Sequence, residues 1–405
     1  HKIYYRHFTI KIYIILSNQY VFKICSSAML NNGSDPYITR NRTWYLKIIF
    51  VRVIAFICFI FLINSIIFYD IRSKKYAEAI KNGIMAIVAV TVTFKHSILV
   101  HRKESIKNLI NFLNDDYETA QSFSEDEKEI VLDFAKKGIK VSKFWLVISV
   151  LTAFMFPVKA ATLMLYHCLK NDCKLIHMFD MTYPSLINQY KDTLFIYSGV
   201  FLMCFTFAMF SMSVYIGFDP IVPICMLHTC GQLDLIGRNL LKALSEGTTE
   251  QKKENLKRIN KKLVEIYRFV KNVQNIFVVI YEYNMKTTTF LIPFSAFHIV
   301  ESLREKEISL EFIFFFLGAL LHFYIPCYYS DLLMEKSEKM RENIYFCGWE
   351  MEPNIQIRKT ILLMLTRTSV PLVIRTIFYP ICLDTFAEMT RQAYGIYNLM
   401  NAAWG

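Results

Sequence analysis

A chain of 405 residues with 54% apolar side chains, 34 Phe and 24 Tyr is more apolar than an ordinary soluble domain. Its net charge of +12 is not gathered with aromatics on a soluble module, which sets aside nucleic-acid binding. Ten scattered Cys without a CxxC, nine unpaired His and no nucleotide or nucleophile motif argue against a metal site, a cofactor or an enzyme.

His1 is not a start methionine, so the natural N-terminus is expected upstream, and this end has no apolar core and cleavage site of a signal peptide. The sequons at Asn32 and Asn41 fall in a segment read below as cytosolic and are discounted. Membrane spans follow at 46–69 and 79–100, then a charged, helix-favouring segment at 101–142 and a third span at 143–166. Cys168 and Cys173 share the next loop, where an oxidising space permits pairing. Leu194–Phe218 holds no charge over 25 residues and reads as a span, as does Phe312–Ser330. Between them lie the charged segment 219–275 and a span at 276–300. In that span Glu282 and Lys286 have the spacing of a helical ion pair, read as structural, with a subunit contact as the other use.

The last segment, Leu383–Trp404, is long enough to cross a bilayer but carries Asp384, Glu388, Arg391, Gln392, Asn398 and Asn401. At roughly 100° per residue, Asp384, Glu388, Arg391, Gly395, Asn398 and Ala402 fall within about 40° of one line. Tyr394, Tyr397 and Asn401 border it, while Phe386, Met389, Ala393, Ile396 and Met400 take the other side. Polar residues at membrane depth usually face a bundle interior or an aqueous path. Interhelical hydrogen bonding without a pore is the alternative.

Orientation follows from Lys and Arg in the loops. Segments 1–45, 101–143, 219–275 and 331–370 hold 6, 8, 10 and 6 of them; the alternate loops 70–78, 167–191 and 301–310 hold 3, 3 and 2. The fold class expected is all-α, with seven transmembrane helices, a cytosolic N-terminus, an extracellular C-terminus and helices prolonged into a cytosolic anchor. Two parts are expected: 1–330, helices one to six with a ligand-binding bundle in the outer half, and 331–405, an anchor helix plus the last helix. This topology is the reverse of a G-protein-coupled receptor, and neither an Asp-Arg-Tyr triplet nor Asn-Pro-x-x-Tyr occurs in place.

The C-terminal third reads "YYSDLLMEKSEKMRENIYFCGWE", then "IRKTILLMLTRTSVPLVIRTIFYPICLDTFAEMTRQAYGIYNL". Tyr345 and Trp349 are four apart, followed by Arg358 and Lys359, Arg367, Pro371 and Leu372, Tyr379 and Pro380, Leu383, Thr385 and Phe386, and Tyr394. Upstream, Asp219, His228, Gln232 and Leu240 lie in "GFDPIVPICMLHTCGQLDLIGRNL". This order resembles the insect odorant receptor family, sharply over about 345–400 and in layout throughout. The usual Gly before Phe-Tyr-Pro is absent, and Gly395 replaces the usual Ser after the terminal Tyr. Gustatory receptors fit worse, since Tyr394 follows Ala393 and their Gln-Phe positions hold Met400 and Asn401. The short segment "LSEGTTEQKKENLKRINKK" is unlike the long loop of the family's co-receptor, so the resemblance is to a ligand-tuning subunit.

The resemblance implies a ligand-gated, non-selective cation channel. The chain would join the odorant receptor co-receptor, as a hetero-tetramer, in the plasma membrane of a sensory-neuron dendrite. Subunits would meet through the cytosolic anchor, with Tyr345, Trp349 and Arg367 at the contact. The last helix would line the path of permeant cations, with Arg391, Tyr394, Tyr397, Asn398 and Asn401 at the pore. The ligand would be a small, neutral, hydrophobic volatile molecule held among helices two, three, four and six. Candidate contacts are Ile84 and Val88; Met155, Phe156, Lys159 and Thr162; Phe201 and Phe205; and Phe312, Phe315 and Phe316. Lys159, just after Pro157, either donates a hydrogen bond to a ligand carbonyl or hydroxyl or snorkels outward. No metal or cofactor is implied. The rival reading is a seven-helix metabotropic chemoreceptor signalling through a G protein.

Overall fold

The computed structural model describes residues 20–404 apart from 307–308. The start of the N-terminal segment read as cytosolic lies outside the described residues. Helix α1 spans Lys23–Asn32 and α2 Arg42–Ser65, prolonged by a π turn to Asp70; α3 spans Tyr76–His101 and α4 Lys103–Ala120. Then come α5 (Glu125–Leu169), the short α6 (Ser185–Tyr190), α7 (Leu194–Phe218) and α8 (Ile221–Ser245). Helices α9 (Thr249–Arg304), α10 (Leu310–Tyr345), α11 (Ile355–Arg367) and α12 (Leu383–Trp404) complete the chain.

Local chemistry starts these helices where they start. The Asn41 side chain accepts from Trp44 N at 2.8 Å ahead of α2, and Asn354 does the same for Gln356 and Ile357 ahead of α11. Reciprocal capping boxes open the two longest helices: Ser124 with Glu127 on α5, and Thr248 with Gln251 on α9. A cap of this kind is worth about 1 kcal/mol.

Length then decides what these helices do. Helix α5 has 45 residues and α9 has 56, so at ~1.5 Å per residue they run about 68 and 84 Å. A hydrocarbon core is only ~30 Å thick, so both must run on into water, and their charged halves supply that part. Among the described residues five stretches are long and apolar enough to cross a membrane: Arg42–Asp70, Tyr76–His101, Glu125–Leu169, Leu194–Ser245 and Leu310–Met351. Helices α9 and α12 complete the seven spans expected; their embedded polar residues keep them out of that group.

Two large cores result. One lies where α1, α4, the first half of α5, α8, the first half of α9, the end of α10, and α11 converge, here termed the anchor end. The other, toward the far end, joins α2, α3, α5, α7 and the 178–183 segment. Residue 330 falls inside the continuous α10, and Cys327, Leu333 and Met340 bury into the same core, so the two sequence parts meet within one helix. At the far end Cys168 and Cys173 are disulfide-bonded.

Between α11 and α12 the chain forms a narrow hairpin. Its backbone N–H groups at Leu372 and Ile374 donate to Ser337 Oγ and Ser330 Oγ of α10, at 3.0 and 3.1 Å. Thr376 Oγ1 accepts from Phe378 N and Tyr379 N, which makes the Phe-Tyr-Pro stretch a tight turn. Glu282 and Lys286 pair at 2.9 Å on α9, and the Lys286 ammonium sits 5.2 Å from the Phe378 ring.

Candidate functional site

A cavity of about 130 Å³ lies in the bundle among α3, α5, α7, α9 and α10. Its wall is mainly apolar, and the size suits a small molecule, since an apolar cavity of about 150 Å³ holds benzene. Helix α5 contributes Trp145, Ser149, Thr152 and Phe156, a stripe at helical spacing. Of the residues singled out from sequence, Val88, Phe156 and Phe315 are on this wall. Phe312 stands behind it, edge-on to Phe156 and to His298 at 6.2 and 4.4 Å. Ile84 is buried in the cluster that also holds Phe312 and Met400.

The other candidates stand off the wall. Phe201 and Phe205 pack half-buried on the far-end core, and Met155 and Phe316 are half-buried. Thr162 is exposed and donates to Val158 O at 2.8 Å. Lys159 turns to Glu311, at 2.5 Å, with Asp180 at 3.9 Å; it makes an ion pair with protein carboxylates where a ligand contact was one of two expectations. Its partner lies 152 residues away, beyond the reach of any local pattern.

Sequence reasoning missed α9, which brings Asn284, Thr287, Thr288 and Leu291 to the wall, and missed Trp145, Tyr215 and His322. The available signal was the row of small polar residues inside otherwise apolar spans.

At one end of the cavity stands a buried charge cluster. Lys95 Nζ lies 2.5 Å from Asp219 Oδ1 and 2.6 Å from His322 Nε2. The ammonium also sits 4.2 Å from the Tyr215 ring, a cation–π contact. His322 and Tyr215 are both cavity residues, so the cavity ends on rings that touch the charged pair.

Helix α12 shows two faces. Ala393 and Met400 are buried and Phe386, Met389 and Ile396 half-buried, against α9 and α10 among other neighbours. Asp384, Glu388, Arg391, Tyr394, Gly395, Asn398 and Ala402 are exposed along the other face, where Arg391 pairs with Glu388 at 2.8 Å. Tyr397 is half-buried against the Ile80 and Phe297 cluster, and Asn401 Oδ1 accepts from Arg304 Nη2 at 3.1 Å. Its far end is held further by Trp404 stacked on Tyr76 at 5.4 Å.

At the anchor end, Asp116 accepts from His228 Nε2 at 2.9 Å and pairs with Lys262. Burial would raise its pKa, but the hydrogen bonds and charges of these two partners outweigh burial and hold it below the usual value. Gln232 is buried one turn beyond His228, and Leu240 is buried further along α8. Tyr345 and Arg367 are exposed and Trp349 half-buried.

The sequence model described as 7tm odorant receptor matches residues 75–394. The chain belongs to the odorant receptor family. It is 28% identical to Drosophila melanogaster odorant receptor 13a over 146 residues, 35% of each chain. It is 30% identical to odorant receptor 19a of the same organism over 76 residues, 18% of this chain and 19% of that one. The matched stretches thus cover about a third and a fifth of these curated relatives. The fold is that of the insect olfactory receptor OR5 from Machilis hrabei in complex with eugenol. That structure superposes with a TM-score of 0.76 at 14% identity, over 95% of this chain and 98% of the other. A second structure of the same receptor gives a TM-score of 0.68 at 16% identity, over 98% of both chains. Family membership makes the chain a multi-pass membrane protein of the odorant receptor class rather than an enzyme.

Proposed function

We propose that this odorant receptor family member is the ligand-tuning subunit of a ligand-gated, non-selective cation channel. It would work with the family's co-receptor in the plasma membrane of a sensory neuron. The observation that carries the reading is the division of α12: its apolar side packs on the bundle while a row of polar and small residues stays uncovered along 22 residues. A face of that kind at membrane depth requires water or partner subunits, and a pore at the junction of several copies provides both. Arg391, Tyr394 and Asn398 would then face the path, with Tyr397 and Asn401 at its border.

The cavity would receive the stimulus. Its apolar wall favours a small neutral molecule and penalises a charged one through desolvation, and the Machilis hrabei relative was solved with eugenol. The anchor end, with its basic segments, would be cytosolic, and Tyr345, Trp349 and Arg367 would sit at the subunit contact.

Excised-patch recording with the co-receptor and without nucleotides tests this. Stimulus-evoked current under those conditions is expected. A strict requirement for GTP would instead support the metabotropic reading.

A further inference from the structure

We infer that the stimulus enters the cavity from the far end through a two-tier door, a Lys159 ion-pair latch over a Phe156 ring gate. This rests on the cavity being the stimulus site and on the far end facing the outside. A second space of about 440 Å³ lies at that end, and its wall includes Lys81, Lys159, Asp180 and Glu311. Three helices place this vestibule over the cavity. Along α3, Lys81 of the vestibule is followed by Met85, Val88 and Thr91 of the cavity and then by Lys95 of the buried charge cluster. Along α10 the order is Glu311, Phe315, His322; along α5 it runs in reverse, from Trp145 through Ser149, Thr152 and Phe156 to Lys159. Vestibule and charge cluster are therefore opposite ends of one column.

Two tiers separate the vestibule from the cavity, each centred on α5. In the outer tier, Lys159 Nζ lies 2.5 Å from Glu311 Oε1 of α10 and 3.9 Å from Asp180 Oδ2 of the 178–183 segment. Asp180 Oδ2 lies in turn 3.7 Å from Lys81 Nζ of α3. In the inner tier, Phe156 stands one turn before Lys159 and meets Phe179 at 5.2 Å and Phe312 at 6.2 Å, edge-on. These rings are the sequence neighbours of Asp180 and Glu311, and all three are buried. The same three elements are thus closed twice, by charges at the vestibule and by rings at the cavity.

The two tiers do different things. Packed rings keep water and ions out of an apolar cavity, yet a neutral apolar molecule replaces their contacts as it passes between them. The Lys159 and Asp180 side chains are 39% and 58% exposed, so water takes over when they part and that half of the latch is weak. Glu311 is 5% exposed, and parting it from Lys159 leaves a buried carboxylate unpaired, which keeps the door shut at rest. Phe179 and Asp180 lie outside any helix, so they can shift without moving a span.

The test measures entry without any stimulus. Ser149→Cys puts a thiol on the cavity wall two turns below Phe156. Methyl methanethiosulfonate, a small neutral thiol reagent, is applied outside intact cells expressing the full chain with the co-receptor. Mass spectrometry of the peptide holding position 149 gives the rate of modification. On that background Lys159→Glu sets like charges against Glu311 and Asp180, and the rate should rise at least about fivefold. Lys159→Glu with Glu311→Lys restores one pair and should bring the rate back. Phe179→Ala should raise it as well. If Lys159→Glu does not reach the surface, Asp180→Asn and Phe179→Ala carry the comparison. Equal rates in all these variants overturn the inference and place entry elsewhere, for instance from lipid between the helices. A rise in Lys159→Glu that Glu311→Lys does not reverse also overturns it, since a loosened fold then admits the reagent. Labelling is independent of what the cavity binds, so the underlying reading fails separately. If Ala153→Phe, which fills the cavity, leaves currents evoked by a panel of neutral volatile compounds intact, the stimulus site lies elsewhere whatever the labelling shows.

Discussion

Lys95 and Asp219 form an ion pair 2.5 Å long with the lysine side chain wholly out of solvent and the aspartate nearly so. The pair ties α3 to the α7–α8 junction, and through His322 to α10, at the level where the cavity ends. Removing one member of such a pair leaves a charge buried without its counter-charge, which costs about 3–5 kcal/mol.

Asp219→Ala should therefore destabilise the fold by about that amount, and Lys95→Met with Asp219→Leu together should cost less than Asp219→Ala alone. Thermal midpoints of the detergent-solubilised chain measure both. An Asp219→Ala midpoint equal to the unaltered one would show that the pair contributes nothing.

Asp116 gives a pH dependence at the anchor end. Its lowered pKa means that the carboxylate form is favoured in the folded state. The associated stability is present above the ordinary aspartate value and is lost as pH falls through the lower native one. Asp116→Asn should lower the midpoint near neutrality, and the gap to the unaltered chain should close below about pH 4. A gap that stays constant from pH 6 to pH 3 would contradict the assignment.

Tyr345 is 57% exposed, and Trp349 is only half-buried among the anchor residues. Large amphipathic side chains in this setting are the usual anchors of interfaces, and truncating one costs at least ~2 kcal/mol when it is a hot spot. Trp349→Ala and Tyr345→Ala should reduce capture of the co-receptor in pull-down without reducing membrane insertion. Undiminished capture by both variants would remove the anchor from the interface.

For the proposed path along α12, Asn398 is exposed and Phe386 packs on Phe323 and Tyr324 at 5.8 and 5.4 Å. Asn398→Asp should add negative charge to the path and shift the reversal potential toward divalent cations. Phe386→Ala should lower expression and leave reversal potential unchanged. The opposite outcome for the pair would place the other face of α12 toward water.

Topology has a direct check. Gly247 sits in the short turn between α8 and α9 at φ +96°. An epitope inserted there should be stained only after permeabilisation, and staining of intact cells would reverse the orientation.

What the sequence by itself determined is what depends on neighbours along the chain. Apolar length located five of the seven spans, because a span needs its residues consecutively, and α9 and α12 were placed by length in spite of embedded polar residues. The 3.6-residue period separated the exposed face of α12 from its packed face, and four-residue spacing placed Lys286 on Glu282. Tertiary structure alone decided what depends on residues far apart in the chain. Lys159 met Glu311 rather than the cavity because α5 and α10 converge there. The wall took Asn284 from a helix that sequence reasoning had left aside, and Trp145 from outside the residues it had marked. A side chain's own type and spacing say that it is polar and in a membrane; which of several helices it faces is set by the packing of all of them together, and that choice makes the site.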